Sequence, residues 1–220
     1  MTAEFILGVD LDGVCGDYNT SFRDAVARHR DIDPEMLTMD VSWDFLEWGL
    51  DREGFLSHHQ RALTEDRVFL NMAPIQGVQD SLWRLSDAGV WIRLITHRLV
   101  DNWSHAMVVS DTVEWLDEHS IPYRDICFLG QKPQVEADAY IDDAPHNVDA
   151  LREADNDVIV FSQPYNLEME GPRADNWDDV ETIVSEMAAR KTGGFPLPLP
   201  GFDAGSDRLA RNRPQSNLGQ

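Results

Sequence analysis

Asp10 and Asp12 stand one residue apart at the end of an apolar run, Phe5-Ile6-Leu7-Gly8-Val9, in the stretch FILGVDLDGV. Burying a carboxylate is costly unless something offsets its charge. Two acids closing such a run therefore mean either a solvated turn or a site that needs paired carboxylates, most simply around a metal. Other apolar runs end in a similar way. VWIRLI is followed by Thr96-His97-Arg98, AYI by Asp142-Asp143, and Lys132 comes shortly after a third run. In a parallel α/β sheet the ligand crevice lies outside the carboxyl ends of the strands, so these residues would converge on one rim. Asp10, Asp12, Asp142 and Asp143 would repel one another there unless a divalent cation joined them, and hard oxygen ligands favour Mg2+. The set suits phosphoryl transfer. One carboxylate can attack phosphorus, and a neighbour can protonate the leaving oxygen and then activate water. Lys132 and the cation can neutralise the equatorial oxygens, which the Thr96 hydroxyl and nearby backbone N–H groups can hold.

Strands must carry these residues to the rim. Five short runs rich in Val, Ile and Phe, without alternation, read as parallel strands covered on both faces: Phe5–Val9, Val90–Ile95, Ile126–Leu129, Ala139–Ile141 and Val158–Phe161. Between them lie helical patterns. Val78 to Ala88 has an apolar stripe and Gly89 at its end as a cap. His105 to His119 carries Val108, Val109, Thr112, Val113 and Leu116 on one side, and Asn147 to Ala154 is shorter. Strand and helix in alternation predict an α/β fold with a parallel sheet. Residues 18–74 lack a strand pattern and read as a small helical lobe inserted after the first strand. The Gly- and Pro-containing tail from Lys191 to Gln220 has little to bury and reads as disordered or loosely attached.

The 220 residues suffice for one domain with a sizeable core and a small second lobe. Acids outnumber bases 40 to 18, a net charge of −22, which repels nucleic acid polymers and anionic membranes. Such acidity also marks salt-adapted proteins. Cys15 and Cys127 sit in no metal or disulfide framework, and Cys15 reads as a small, partly buried residue. With no leader-like segment and no apolar run of spanning length, a cytoplasmic location is the expectation.

DLDGV after an apolar strand, a strand ending in Thr96, then Lys132, then IDD at 141–143 resembles the haloacid dehalogenase (HAD) phosphohydrolase superfamily, with its motifs in order. The helical insertion, PIQGVQDSLWRLSDAG, KPQVEADAYIDD and VIVFSQPYN followed by NWDDV are similar to the 5'(3')-deoxyribonucleotidase family within it. Lys132 stands ten residues ahead of Asp142, the usual arrangement there. The resemblance implies a three-layer Rossmann-like core (1–17 and 75–190) with a small helical cap (18–74). It implies Asp10 as nucleophile and metal ligand, and Asp12 as general acid/base whose backbone carbonyl also ligates the metal. Thr96 and Lys132 would hold the phosphoryl group, with Asp142 a metal ligand and Asp143 a ligand through water or its support. Where the family often has a small hydroxyl residue, this chain has His97 followed by Arg98, which leaves phosphate or sugar contacts to both, including direct phosphate binding by Arg98.

Trp43, Phe45 and Trp48, in SWDFLEWGL, either stack on a planar base or pack the lobe's core. His58-His59 lacks a ligand partner at suitable spacing and reads as helix surface, and Glu168 to Glu186 as a solvated face. The implied reaction is Mg2+-dependent hydrolysis of a nucleoside monophosphate through an aspartyl-phosphate. A sugar phosphate as substrate, and a non-catalytic acidic interaction protein on this scaffold, are the alternatives. The implied partner is a small phosphorylated molecule, not a nucleic acid or membrane, and a homodimer is left open.

Overall fold

The FILGV run forms β1 (Phe5–Val9), flanked by parallel neighbours on both sides, which is why its residues are apolar without alternation. Gly8 is the exception in it because a Cβ there would meet Ile95 Cδ1 and Tyr140 Cδ1, each at 2.8 Å. The structure is a computed structural model and describes residues 5–100 and 104–193. After β1 come α1 (Tyr18–Arg30), α2 (Arg52–Thr64), α3 (Val68–Asn71) and α4 (Val78–Asp87). Then follow β2 (Val90–Thr96), α5 (His105–Glu118), β3 (Asp125–Phe128), β4 (Ala139–Asp142), α6 (Pro145–Glu153), β5 (Val158–Phe161), β6 (Arg173–Ala174) and α7 (Trp177–Thr192).

The sheet order is β3-β2-β1-β4-β5-β6, and every pairing is parallel. From β1 the chain first builds outward through β2 and β3, then returns to the other side of β1 for β4 to β6. The order therefore reverses at β1 and β4, where an open α/β sheet leaves its crevice. The sixth strand is not among the expected five. Two residues carry too little pattern to read, and β6 exists because Val160 and Ser162 donate to the carbonyls of Pro172 and Ala174 at 2.8 and 2.9 Å.

One face of the sheet (Leu7, Val9, Ile92, Leu94) packs with Val78, Leu82 and Leu85 of α4, Trp115 and Leu116 of α5, and Trp177, Val180 and Val184 of α7. On the other face, Ile95, Tyr140, Val158 and Val160 pack with Val148 and Leu151 of α6. This is a mixed α/β fold with helices on both faces of a parallel sheet. The segment between β1 and α4 has an apolar cluster of its own around Phe22, Val26, Phe45, Trp48, Leu50 and Ala62. Its two longer helices start on side-chain caps: Asp17 accepts from Thr20 N at 3.2 Å and Asp51 from Gly54 N at 2.7 Å.

Two side-chain placements and one helix end differ from the sequence reading. On α5 the buried face keeps the expected Val108, Thr112 and Leu116 but has Asp111 and Trp115 in place of Val109 and Val113. Those two are anchored by polar partners: Arg67 binds Asp111, and Trp115 Nε1 donates to Met72 O at 2.8 Å. Glu181, expected on a solvated face, is buried, with Arg84 Nε donating to it at 2.8 and 3.0 Å. The last helix includes Lys191 and Thr192, which read as tail; the rest of the expected tail, residues 194–220, lies outside the described residues. Among the described residues no helix is long and apolar enough to cross a membrane. Cys15 and Cys127 are free, and Cys15 is fully buried with its thiol donating to Asp10 O at 3.2 Å.

Candidate active site

Asp10 follows β1 directly, and its N–H donates to Ile141 O on β4 at 3.1 Å, so the main chain itself brings the first and last acidic pairs together. Beyond it the chain turns sharply: Cys15 N and Gly16 N both return to Leu11 O, and Gly13 N to Gly16 O at 2.9 Å. Gly13 sits at φ +80°, and a Cβ there would lie 2.1 Å from Asp143 Oδ2. Only glycine lets this turn stand so close to the last acidic pair.

Lys132 opens a single 3-10 turn (Lys132–Gln134) and is buried. Its ammonium donates to Asp10 Oδ1 and to Asp142 Oδ2, both at 2.6 Å. Asp142, at the end of β4, also accepts from Ala144 N at 3.0 Å and Asn147 Nδ2 at 3.2 Å, which ties it to the start of α6. Asp143 receives the Tyr165 hydroxyl on one oxygen, while its buried Oδ1 has no hydrogen-bond partner among the described residues. One carboxylate oxygen each from Asp10, Asp142 and Asp143 lies within 4.8 Å of the other two. Three buried hard oxygens and an unsatisfied acceptor are what a divalent cation fits.

The electrostatics agree with an acid-rich floor. Burial, with Asp142 and Asp12 nearby, pushes Asp10 up to about 7 against the pull of Lys132. Burial and the charges of Asp10 and Asp142 likewise raise Asp143 well above the carboxylate range. Burial works against the Lys132 charge, but Asp10 and Asp142 outweigh it and keep the ammonium protonated. A divalent cation among the three acids would pull them back toward ionisation.

Thr96 is buried at the end of β2, and its Oγ1 accepts from Arg98 N at 3.3 Å. His97 borders the cleft, its buried Nε2 has no hydrogen-bond partner among the described residues, and burial together with Lys132 lowers it to about 4, so the ring is neutral. Arg98, expected to contact phosphate or sugar, borders the cleft but turns its guanidinium to Asp12. Its side chain is 0% exposed and is committed to Asp12, at 2.7 and 3.0 Å. The Asp12 carboxylate therefore points to Arg98 and stands apart from the acidic triad.

These residues floor a cleft of about 960 Å³ between the sheet rim and the inserted lobe. Trp43 lines it at 43% exposure, with edge contacts to His146 and Tyr165 at 5.1 Å each. Phe45 borders it from within the lobe's core, 5.3 Å from the Phe22 ring. Trp48 does not line it. That ring is 3% exposed, lies 4.7 Å from Phe45, and donates its Nε1 to Thr38 O at 2.7 Å. Of the two answers for these aromatics, Trp48 takes the core one. His59, expected on the surface, lines the cleft and shares a hydrogen bond with the Tyr18 hydroxyl at 2.7 Å. His58 instead stacks on His29 with centroids 5.2 Å apart.

Sequence reasoning missed Gln163, Tyr165 and Asn166. Gln163 Nε2 donates to Gly13 O at 2.7 Å, and Asn166 Nδ2 to Asp143 O at 2.8 Å, so the SQPYN turn braces both acidic loops. Its polar residues directly after a buried strand are the same signal that marks the other strand ends.

Comparison with known proteins places the chain among nucleotidases. The family model described as "5' nucleotidase, deoxy (Pyrimidine), cytosolic type C protein" matches residues 4–192. A protein of Chlorobaculum tepidum described as "Putative 5'(3')-deoxyribonucleotidase" is 41% identical over 180 residues, covering 81% of this chain and 89% of its own. The 5'(3')-deoxyribonucleotidase of Bacillus subtilis is 24% identical over 186 residues, covering 80% and 96%. Among solved structures, a predicted phosphatase from Clostridium acetobutylicum shares the fold with a TM-score of 0.57 at 15% identity, over 83% of this chain and 99% of that one. A haloacid dehalogenase-like hydrolase from Streptococcus pneumoniae does so at 0.55 and 13%, over 82% and 98%.

Proposed function

Because the chain belongs to the cytosolic type C deoxy-5'-nucleotidase family and is a HAD-type, 5'-nucleotidase-like phosphatase, we propose that it releases phosphate from 5'- or 3'-(deoxy)nucleoside monophosphates through an aspartyl-phosphate on Asp10. The observation that carries this reading is the Asp10 carboxylate on the cleft floor, held at 2.6 Å by Lys132 and set among Asp142 and Asp143.

Asp10, Asp142 and Asp143 would hold the cation, which we take to be Mg2+, with the Asp12 carbonyl as a further oxygen. When bound, the cation neutralises phosphate charge and keeps the acids ionised. Asp10 oxygen attacks phosphorus, and the bond from phosphorus to the leaving oxygen breaks. Asp12 gives that oxygen a proton, then takes one from the water that attacks the aspartyl-phosphate and frees Asp10. Lys132 and the Thr96 hydroxyl bind the phosphoryl oxygens, and neutral His97 stands beside them as a hydrogen-bonding group. Trp43 and Phe45 offer the apolar wall that a base needs. The inserted lobe, residues 18–74, acts as the cap over the substrate and limits water during the first step. A cytoplasmic setting fits a small nucleotide substrate.

The test is phosphate release from a panel of ribo- and deoxyribonucleoside monophosphates beside sugar phosphates, with Mg2+ and with EDTA, for the wild type and Asp10→Asn. We expect Mg2+-dependent release favouring nucleotides and none from Asp10→Asn. Release from sugar phosphates alone would discard the nucleotide assignment, and undiminished turnover by Asp10→Asn would discard the aspartyl-phosphate.

A further inference from the structure

Arg98 is a guanidinium built into the protein interior beside the cleft. Nε and Nη2 donate to Asp12 Oδ2 at 3.0 Å and Oδ1 at 2.7 Å. Such a two-point fork fixes the plane of the carboxylate as well as its distance. The fork is itself held from other sides. Nη1 donates to Thr112 Oγ1 of α5 at 3.0 Å, Cζ stands 4.1 Å over the Phe69 ring of α3, and the Arg98 N–H reaches Thr96 Oγ1 at 3.3 Å. Both residues border the cleft, the Asp12 side chain with 27% exposure and the Arg98 side chain with none.

Resting on the aspartyl-phosphate reading above, we propose that Arg98 is a positioning residue that aims the Asp12 carboxyl at the leaving oxygen and steadies the carboxylate left behind. In the first step the leaving oxygen takes the electron pair of its bond to phosphorus and the proton of Asp12. The new carboxylate charge falls on the Arg98 fork. In the second step the same carboxylate takes a proton from water as the water oxygen bonds to phosphorus and the Asp10 ester breaks. Arg98 thus acts through Asp12 and leaves phosphate binding to Lys132 and Thr96.

A nucleoside leaving group needs that proton, and p-nitrophenolate does not. Arg98→Gln should therefore slow single-turnover release of nucleoside from a nucleoside monophosphate by about 10²- to 10³-fold, with KM changed by less than about threefold. The same variant should still give a p-nitrophenolate burst of about one per active site from p-nitrophenyl phosphate, followed by slow turnover as the aspartyl-phosphate accumulates. Arg98→Lys keeps the charge without the fork and should recover only part of the loss, and it carries the comparison if Arg98→Gln does not fold. Adding Arg98→Gln to Asp12→Asn should cost nothing further. Equal slowing of the two substrates overturns the proposal. So does a rise in KM with kcat kept, or an additive double variant. The wild type separates this from the function above: silence on nucleotides with aryl phosphate hydrolysis intact sinks the nucleotide assignment and leaves the aryl burst to decide on Arg98. Silence on both sinks both.

Discussion

Replacing Lys132 with methionine removes one charge from between two buried ones. The ammonium lies 2.6 Å from each of Asp10 Oδ1 and Asp142 Oδ2, in a pocket where all three side chains are at least nine-tenths covered. At an effective dielectric of about 20, each contact is worth roughly 6 kcal/mol before desolvation is subtracted. Most of that gross attraction is spent in taking three ions out of water. Leaving the two carboxylates uncompensated should therefore cost about 3–5 kcal/mol, the usual loss when one member of a buried pair is deleted. For a chain of this size that is a fall in Tm of about 6–20 °C in EDTA. A divalent cation bound by Asp10, Asp142 and Asp143 takes over part of the neutralisation. Mg2+ should accordingly raise the Tm of Lys132→Met by more than it raises that of the wild type. Further replacement of Asp142 by Asn should return much of the EDTA loss, because it removes the repulsion. Thermal melts followed by circular dichroism, with EDTA and with saturating Mg2+, measure all of this. A fall under about 2 °C, or an equal Mg2+ shift in both proteins, would refute the idea that Lys132 neutralises the acid cluster.

The two tryptophans should part company: Trp48→Ala should cost about 3–5 kcal/mol in a urea melt because its ring fills the lobe's core. Trp43→Ala should leave the melt nearly unchanged and lower kcat/KM for nucleotides about tenfold, the worth of one lost base stack. His97 gives a pH signature. The unfolded ring takes up a proton below about 6.5 while the folded one waits until about 4, so stability is lost as pH falls through that window. After discounting for its partial exposure, His97→Gln should remove about 1–2 kcal/mol of that acid loss, read from urea melts at pH 7 and pH 4.5. Gly13→Ala, at φ +80° and facing Asp143, should destabilise by about 1–3 kcal/mol and weaken Mg2+ binding in calorimetry, because Asp143 must move.

How far sequence reading reached can be judged residue by residue. The strand bounds of β1 and β5 were legible to the residue, because parallel strands covered on both faces must be short, apolar and free of alternation. That Asp10, Thr96, Lys132 and Asp142 come together was legible too, because parallel strands all deliver their carboxyl ends to the same rim. β6 was not legible, since two residues have no periodicity. The buried face of α5 was legible in Val108, Thr112 and Leu116 but not in Asp111 and Trp115, because those two are held by Arg67 and Met72, which lie outside the helix and far away in sequence.

Composition and spacing alone determined the class of fold, the rim and the acids upon it. Only the tertiary structure decided where each side chain on the rim points. Arg98 could have faced a phosphate, but it is folded onto Asp12, 86 residues away, and Trp48 is turned into the lobe rather than the cleft. The physical reason is one of range. Strand and helix periodicity is a local property carried by neighbouring residues, whereas the direction of a polar side chain is chosen by whichever distant partner satisfies its charge at least desolvation cost.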